Sequence, residues 1–234
     1  VKRLLDLKTK YKILNKGEVK LDKVENVIGS NKHKELELEI ARKSITLVKN
    51  TDNIVPLKVN EEDTIAVISP ISLDKLKFLR KEYTRGIGPN VEPGEPFEML
   101  VKEICKYHKR VLVKRITREM ANFEEVIEKI SSQSRVVIFC TERYVLPGLD
   151  IDDEGQSLVI NEFIEKGASC VVIGLRDPYE LTRIPDVHAY IAAYGFRYCN
   201  IKAAVEVLFG KVKPKGKLPV SIPGMHARGH GCSE

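Results

Sequence analysis

The chain has 234 residues, and its 39 Lys and Arg against 33 Asp and Glu give a formal net charge of +6. A content of 43% hydrophobic and 31% charged residues is typical of a globular protein and excludes a disordered one. Because the positive charge is scattered, Trp is absent, and no apolar run approaches the ~20 residues of a membrane helix, the composition predicts neither a nucleic-acid surface nor a membrane span.

The first 62 residues are predicted to contain helices and linkers but no sheet. An amphipathic helix over residues 1–14 carries one apolar stripe of Leu4, Leu7, Tyr11 and Leu14. A helix this short is marginal in water, so it needs a surface to pack on. That surface is expected to be a further part of a longer protein, the second helix, or a second copy of residues 1–14. The second helix is predicted over residues 33–50, with one face formed by Leu36, Ile40, Ala41, Ser44, Leu47 and Val48.

From Thr64 onward, apolar runs alternate with amphipathic helices. The helices are predicted over residues 72–83, up to Tyr107, and over 123–130, 156–167 and 200–210. Their expected caps are Ser72, a capping box of Asn122 and Glu125, Gly167, Asn200 and Gly210. The predicted strands are TIAVIS (64–69), RVLVKRI (110–116), RVVIFC (135–140), CVVIGL (170–175) and HAYIAAY (188–194). Between its prolines, KLPVSIP (217–223) is predicted to be a short or edge strand.

This alternation predicts an α/β fold, a three-layer sandwich around a mostly parallel, doubly wound sheet. We expect a flavodoxin-like arrangement of about five parallel strands plus one antiparallel edge strand, preceded by a helical extension. The predicted domains are residues 1–62 and residues 63–234. The core positions expected on the central strands are Ile65, Val67, Val137, Ile138, Val171, Val172 and Ile191.

No nucleotide-binding motif follows the first strand of the predicted sheet. The residues after TIAVIS are PISLDK, which lack the glycines of a dinucleotide fingerprint, and GxxxxGK[ST] does not occur. The acidic segment DIDDEGQ (Asp150 to Gln156) is open to two interpretations, a metal or acid/base site or a polar helix start. The helix start is favoured because acidic groups stabilise a helix N-terminus, and Glu154 and Asn161 match a calcium loop poorly.

The C-terminal segment MHARGHGCSE contains His226, His230 and Cys232, side chains of the types that bind zinc. It is a single cluster without a clear fourth ligand, so no metal site is predicted. The five cysteines have no CxxC spacing, which argues against a disulfide framework and favours a reducing compartment or an anaerobic source. No GxSxG elbow or Cys–His pairing is recognisable. The residues by themselves therefore predict no catalytic, cofactor-binding or metal site.

Several motifs together resemble the C-terminal region of family 3 glycoside hydrolases. They are ARKSITLVKN with Pro56-Leu57, LRDPYEL (Leu175 to Leu181), AYGF (Ala193 to Phe196), EVLFG (Glu206 to Gly210) and PKGKLPVSIP (Pro214 to Pro223). Their order and spacing match the family as well, over essentially the whole chain. RDPY and the AYG segment resemble the β-N-acetylhexosaminidase branch, which includes β-N-acetylglucosaminidases, more than the β-glucosidase branch.

The resemblance implies that residues 1–62 are the last helix of an N-terminal (β/α)8 barrel and its linker, and that the chain is a fragment of a retaining glycosidase. Such enzymes use two carboxyl groups. The resemblance places the nucleophilic Asp, and in the hexosaminidase branch also the acid/base pair, on the barrel. In the glucosidase branch a Glu of this second domain is the acid, and Glu142 or Glu154 would lie in that region, but neither is assigned.

The expected role is therefore a non-catalytic domain that supports the barrel of an enzyme removing terminal β-linked N-acetylglucosamine from cell-wall or chitin saccharides. The chain alone is expected to be inactive, to need no cofactor, and to meet a saccharide only within the full enzyme. The alternatives are a stand-alone carbohydrate-binding or scaffold module and a small-molecule enzyme that uses the DIDDEGQ segment. The sequence leaves open whether the parent is cytoplasmic or exported from a bacterial cell.

Overall fold

A computed structural model describes residues 1–14, 24, 28–77, 95–142, 144–146, 149–151 and 153–232. Several predictions lie outside these residues: most of the polar loop after the first helix, the second half of the 72–83 helix, and Asp152. The chain separates into two compact units, Val1–Glu37 and Leu38–Glu234. The assignment of residues 1–62 to a barrel helix and linker stays a prediction.

The first unit contains α1 (Lys2–Lys10), which is shorter than predicted. The backbone leaves the helix at Lys12, which has a φ of 54°. None of the residues of α1 is buried. The side chains of the predicted stripe, Leu4, Leu7, Tyr11 and Leu14, are between 45% and 64% exposed. The next helix, α2 (Asn31–Ser44), begins in the first unit and ends in the second.

The second unit is built on a six-stranded sheet. Its strands are β1 (Thr46–Asn50), β2 (Ile65–Ser69), β3 (Val111–Arg115), β4 (Val136–Thr141), β7 (Cys170–Gly174) and β8 (Ala189–Ala192), and a separate pair consists of β5 (Tyr144–Leu146) and β6 (Leu149–Ile151). The order in the sheet is β1-β8-β7-β4-β2-β3, and all neighbouring strands are parallel except β1 and β8. This confirms a mostly parallel sheet with five parallel strands in flavodoxin-like order and one antiparallel edge strand.

Helices cover both faces of the sheet and bury its two apolar surfaces. The helices α3 (Pro96–Ile104) and α6 (Tyr198–Leu208) contribute to one core cluster, together with Ile65 and Val67 of β2. On the other face lie α4 (Phe123–Gln133) and α5 (Asp153–Glu165), with Ala66 and Ile68 of β2. All seven predicted core positions are at most 1% exposed, so that prediction is confirmed. No helix among the described residues is long and apolar enough to cross a membrane.

The prediction of a helix over 33–50, with no sheet before residue 63, is wrong. The helix α2 ends at Ser44, and Thr46–Asn50 forms β1, which pairs antiparallel with β8. Thr46, Leu47 and Val48 are all buried, because β1 packs on the core instead of turning one helical face towards it. The last turn of α2 is fixed to α6 by Arg42, whose Nε and Nη2 donate to the two carboxylate oxygens of Glu206, each at 2.6 Å.

The predicted strand over 217–223 is also absent. Pro219 and Pro223 have no backbone N–H to donate, and the segment makes a single bridge between Ile222 and His226. The antiparallel edge strand of the sheet is β1 instead.

The predicted caps agree in part with the structure. The hydroxyl Oγ of Ser72 accepts from the Lys75 amide at 3.2 Å, and Gly167 has a φ of 77° beyond the end of α5, as expected. Asn122 stands at the N-cap of α4 but makes no side-chain cap hydrogen bond. Asn200 is not a cap: α6 begins after Arg197, and the side-chain Nδ2 of Asn200 donates to the carbonyl of Ala193 at 3.0 Å instead.

Candidate functional site

The carboxyl ends of the parallel strands form the edge at which doubly wound sheets bind ligands. Ser69 at the end of β2 is level with Arg115 of β3, and Thr141 at the end of β4 is level with Gly174 of β7. The chain crosses from one side of β2 to the other between β3 and β4, so the topological switch point lies at this edge. We call the polar residues at this edge the carboxyl-edge cluster: Ser69, Glu95, Arg115, Thr141, Glu142, Glu180 and Tyr190.

Arg115 anchors one end of the carboxyl-edge cluster. Its Nη1 donates to Ser69 Oγ at 2.9 Å, and its Nη2 forms an ion pair with Glu95, at the N-cap of α3. The guanidinium carbon lies 4.8 Å from the centre of the Phe97 ring. The Arg115 side chain is 23% exposed and that of Glu95 is 9% exposed. Ion pairing and ring stacking together hold this guanidinium in one place.

Glu180 joins two strands, β4 and β8, at the other end. It lies in a short 3-10 helix (Pro178–Arg183) that follows β7, and it is buried. Its Oε1 accepts hydrogen bonds from Thr141 Oγ1 at 2.6 Å and from the Tyr190 hydroxyl at 2.8 Å. Burial, and then the Glu180 carboxylate, raise the pKa of the Tyr190 hydroxyl well above its usual range. Tyr190 therefore stays protonated and donates to the carboxylate at neutral pH.

Glu142 lies directly after β4 and is one of the two glutamates considered from the family resemblance. Its backbone is held to α5 by a reciprocal pair of hydrogen bonds with the Gln156 side chain. The Glu142 amide donates to Gln156 Oε1 at 3.1 Å, and Gln156 Nε2 donates to the Glu142 carbonyl at 3.0 Å. The Glu142 side chain is buried at this edge, and after burial itself it is the largest influence raising the pKa of the Cys140 thiol.

The acidic segment DIDDEGQ leads into a helix, as the favoured interpretation predicted. Leu149–Ile151 forms β6, and α5 begins at Asp153. The side chains of Asp150 and Glu154 lie outside the described residues. Gln156 is placed by its contacts with Glu142, and it was not a predicted site residue.

The structure brings His226, His230 and Cys232 together, but in positions other than those of metal ligands. The imidazole rings of His226 and His230 stack face to face, with centroids 4.0 Å apart and planes 10° from parallel. His230 Nε2 and Cys232 Sγ both contact the carbonyl of Val48, at 2.8 Å and 3.6 Å. Within the described part of the chain, no group of three or more His, Cys, Asp or Glu residues could hold a metal ion.

The cysteines have structural positions. All five are free thiols, and Cys140, Cys170 and Cys199 are buried. Burial raises the pKa of the Cys170 thiol to about 12, so this thiol is not a nucleophile near neutral pH.

Sequence reasoning missed the contacts of the carboxyl-edge cluster. Ser69 ends a predicted strand, Arg115 is the last residue but one of another, and Thr141 directly follows a third, and these positions were the signal that could have identified them. Glu180 lies within the LRDPYEL motif, but its contacts with Thr141 and Tyr190 join residues up to 39 positions apart in sequence. The cluster consists of carboxylates held by fixed hydroxyl and guanidinium donors, an arrangement that can position a polar ligand.

The family model of the glycosyl hydrolase family 3 C-terminal domain matches residues 45–229, which is most of the chain. The chain therefore belongs to this family, and the α/β sandwich described above is its family 3 C-terminal domain.

Among curated proteins, the chain is 26% identical over 240 residues to a β-xylosidase of Formosa agariphila, covering 94% of this chain and 32% of that protein. It is 28% identical over 209 residues to the thermostable β-glucosidase B of Acetivibrio thermocellus, covering 82% of this chain and 26% of the relative. The chain thus spans a third or less of the length of either relative.

Solved structures share the fold at lower identity. A fungal multi-domain family 3 β-N-acetylglucosaminidase superposes with a TM-score of 0.68 at 20% identity, over 93% of this chain and 22% of that chain. A β-N-acetylglucosaminidase from a Paenibacillus species gives 0.61 at 20% identity, over 92% and 37%. A β-glucosidase from Listeria innocua gives 0.67 at 18% identity, over 94% and 31%. At these identities the likeness concerns the fold alone.

Proposed function

We propose that the chain is the non-catalytic C-terminal domain of a retaining glycoside hydrolase with β-N-acetylglucosaminidase-like specificity. In this proposal an N-terminal (β/α)8 barrel carries the nucleophile and the acid/base pair, and the sandwich supports the barrel and borders the substrate cleft. The observation that carries the proposal is the position of the LRDPYEL motif. It forms the turn after β7 at the carboxyl edge, where Glu180 ties it to Thr141 of β4 and Tyr190 of β8.

The lengths of the curated relatives support a catalytic part outside the region that this chain matches. The β-xylosidase and the β-glucosidase are each about three times or more the length matched here. The carboxyl-edge cluster offers fixed polar groups to a neighbouring domain but, among the described residues, no activated nucleophile. A retaining mechanism needs two carboxyl groups about 5 Å apart across the scissile bond, and the proposal assigns both to the barrel.

A second specificity is favoured by the names of the curated relatives, a β-xylosidase and a β-glucosidase. Under this alternative, an acid Glu comes from this domain. Glu142 is held at the carboxyl edge by Gln156, as a residue in that role would need to be. Glu154 is the other candidate by position in the sequence.

The first experiment assays the chain alone with aryl N-acetyl-β-glucosaminide, aryl β-glucoside and aryl β-xyloside. We expect no release of the chromophore above a buffer blank. Turnover that survives repurification and is abolished by Glu154→Gln would contradict a non-catalytic domain.

The second experiment uses the gene product that includes the sequence upstream of Val1. We expect an encoded barrel and a preference for the N-acetyl-β-glucosaminide, with Glu142→Gln and Glu154→Gln each retaining most of the activity. A preference for the β-glucoside or β-xyloside, together with loss of activity in one of these variants, would favour the second specificity. A start codon at Val1 with no barrel would instead favour a stand-alone module.

A further inference from the structure

The last part of the described chain covers the free edge of β1. We call residues 216–232 the C-terminal latch. The strand β1 lies at the edge of the sheet and pairs with β8, so the backbone groups on its other side are available for hydrogen bonds with the latch. The Gly216 amide donates to the Ile45 carbonyl at 3.0 Å, and the Cys232 amide donates to the Leu47 carbonyl at 2.7 Å. The latch therefore hydrogen-bonds to the backbone that an uncovered edge strand would expose.

The latch is closed on itself by two backbone hydrogen bonds. Leu218 N donates to the His230 carbonyl at 2.7 Å, and Gly229 N donates to the Leu218 carbonyl at 2.8 Å. These bonds join the two ends of the latch, so His230 and Cys232 reach β1 as part of one folded loop.

A bulge in β1 gives the latch a specific attachment point. The register with β8 shifts between Leu47 and Lys49, so Val48 lies at the irregularity. Val48 is fully buried, and a buried carbonyl needs a donor. His230 Nε2 lies 2.8 Å from the Val48 oxygen. Because a carbonyl only accepts, this nitrogen carries the proton, and the bond fixes the tautomer of the neutral ring.

His226 is the neighbour of His230 within the latch. Its ring lies 4.0 Å from that of His230 and almost parallel to it, and its backbone is held by hydrogen bonds to Ile222 in both directions. Lys49 of β1 adds a positive charge facing His226, and Lys217 of the latch faces Cys232. Besides burial, the groups that act on the pKa of His226 are His230 and Lys49, and both lower it.

We propose that the stacked pair of His226 and His230 makes the C-terminal latch a pH-sensitive cover of the β1 edge, closed near neutral pH and opening as the pH falls. Two protonated rings at this separation would repel each other, and because both belong to the latch, they separate only if the loop unfolds and His230 leaves the Val48 carbonyl. An open latch exposes unpaired backbone groups of β1 and leaves the Val48 carbonyl without its donor. An edge strand in that state is a template for pairing with another strand.

The direction of the pH effect follows from the environment of His226. Burial, then His230, then Lys49 lower the pKa of His226 below its ordinary value of 6.5 in the closed state. The open state keeps the ordinary value and therefore binds more protons below it. Closure is fully favoured above the open-state pKa and is lost as the pH falls towards the lower pKa of the closed state.

The test is amide hydrogen exchange of the whole chain at about pH 7.5 and about pH 5, with rates corrected for the intrinsic pH dependence of exchange. We expect protection of the Gly216, Leu218 and Cys232 amides to fall severalfold at the lower pH. The Val137 amide, which donates to Ser169 within the sheet, is expected to keep its protection. Equal latch protection at both pH values would overturn the proposal.

Two variants separate the proposed cause from general acid sensitivity. His226→Phe keeps a flat ring for stacking but takes no proton, so latch protection should become independent of pH. His33→Phe changes an exposed histidine on α2 and should leave the pH dependence intact. If the latch of the His226→Phe variant is open even at neutral pH, the Lys49→Met variant serves as the test instead. Removing that cation should weaken the pH dependence, and an unchanged dependence would overturn the proposal.

Discussion

A single carboxylate oxygen at the carboxyl edge of the sheet links two strands, β4 and β8. Glu180 Oε1 accepts from Thr141 and Tyr190, and a carboxylate acceptor makes both bonds stronger than neutral ones. Gly174 lies beneath this arrangement. A Cβ built there would be 2.1 Å from the Tyr190 hydroxyl oxygen and 2.7 Å from Glu180 Oε1. The network therefore depends on the absence of a side chain at position 174 as much as on the groups that bond.

Gly174→Ala should lower the free energy of unfolding by about 3 kcal/mol, because the methyl group cannot fit without displacing Tyr190 or Glu180. The matched control is Gly167→Ala, where nothing lies within 4 Å but the φ is positive, and about 1 kcal/mol is expected. Urea denaturation of both variants gives the comparison. Adding Tyr190→Phe to Gly174→Ala should remove part of the penalty. Equal losses at positions 174 and 167 would contradict a close-packed network.

For single residues, the sequence predicts which positions are buried but not which polar groups contact each other. Val137 and Ile191 were predicted to be buried because apolar runs of strand length are buried on both faces of a parallel sheet. The pairing of Arg115 with Ser69 and Glu95 depends on which strands become neighbours. Local sequence does not contain that information, so the carboxyl-edge cluster could be located by strand ends but not assembled.

At the scale of elements, β1 is the strand that was wrongly predicted as helix, because its apolar residues continue a helical spacing. Leu36, Ile40, Leu47 and Val48 happen to continue a helical spacing across the end of α2 at Ser44. The strand forms because it pairs with β8, and Thr46 is partnered with Ala192 far along the chain. Tertiary pairing of this kind outweighs a local pattern. The five parallel strands were predictable since each is an apolar run bounded by turn or helix signals.

The central position of β7 gives a direct test of the layer arrangement. Val172→Asp should cost about 3–5 kcal/mol, because the carboxylate would be buried without a partner between β4 and β8. Val113→Asp, on the edge strand β3 with 41% of Val113 exposed, should cost no more than about 1 kcal/mol. Chemical denaturation curves measure both. Similar stabilities for the two variants would mean that CVVIGL is not a core strand.

For the whole molecule, the alternation of strands and helices fixed the layer order because few topologies satisfy short, right-handed connections. A sandwich with helices on both faces needs no information beyond that alternation. The boundary between the two compact units could not be predicted in this way. The compact unit begins at Leu38 and the family match at residue 45, and neither point is marked by a change in composition. Composition is a poor guide here because α2 spans the division.

The exposed stripe of α1 leads to a prediction about the whole chain. Removal of residues 1–30 should leave the melting temperature within about 3 °C, since α1 buries no residue and a change of 1 kcal/mol shifts a chain of this size by about 2–4 °C. Light scattering should also report less self-association, because an exposed apolar stripe is an interaction surface. The matched control is the full chain with Leu4→Glu and Leu7→Glu, which keeps the length but removes the stripe and should associate as little as the truncated chain. If the truncated chain loses its cooperative melting transition, residues 1–30 belong to the core of this domain, and the expectation that α1 packs on a separate barrel would be wrong.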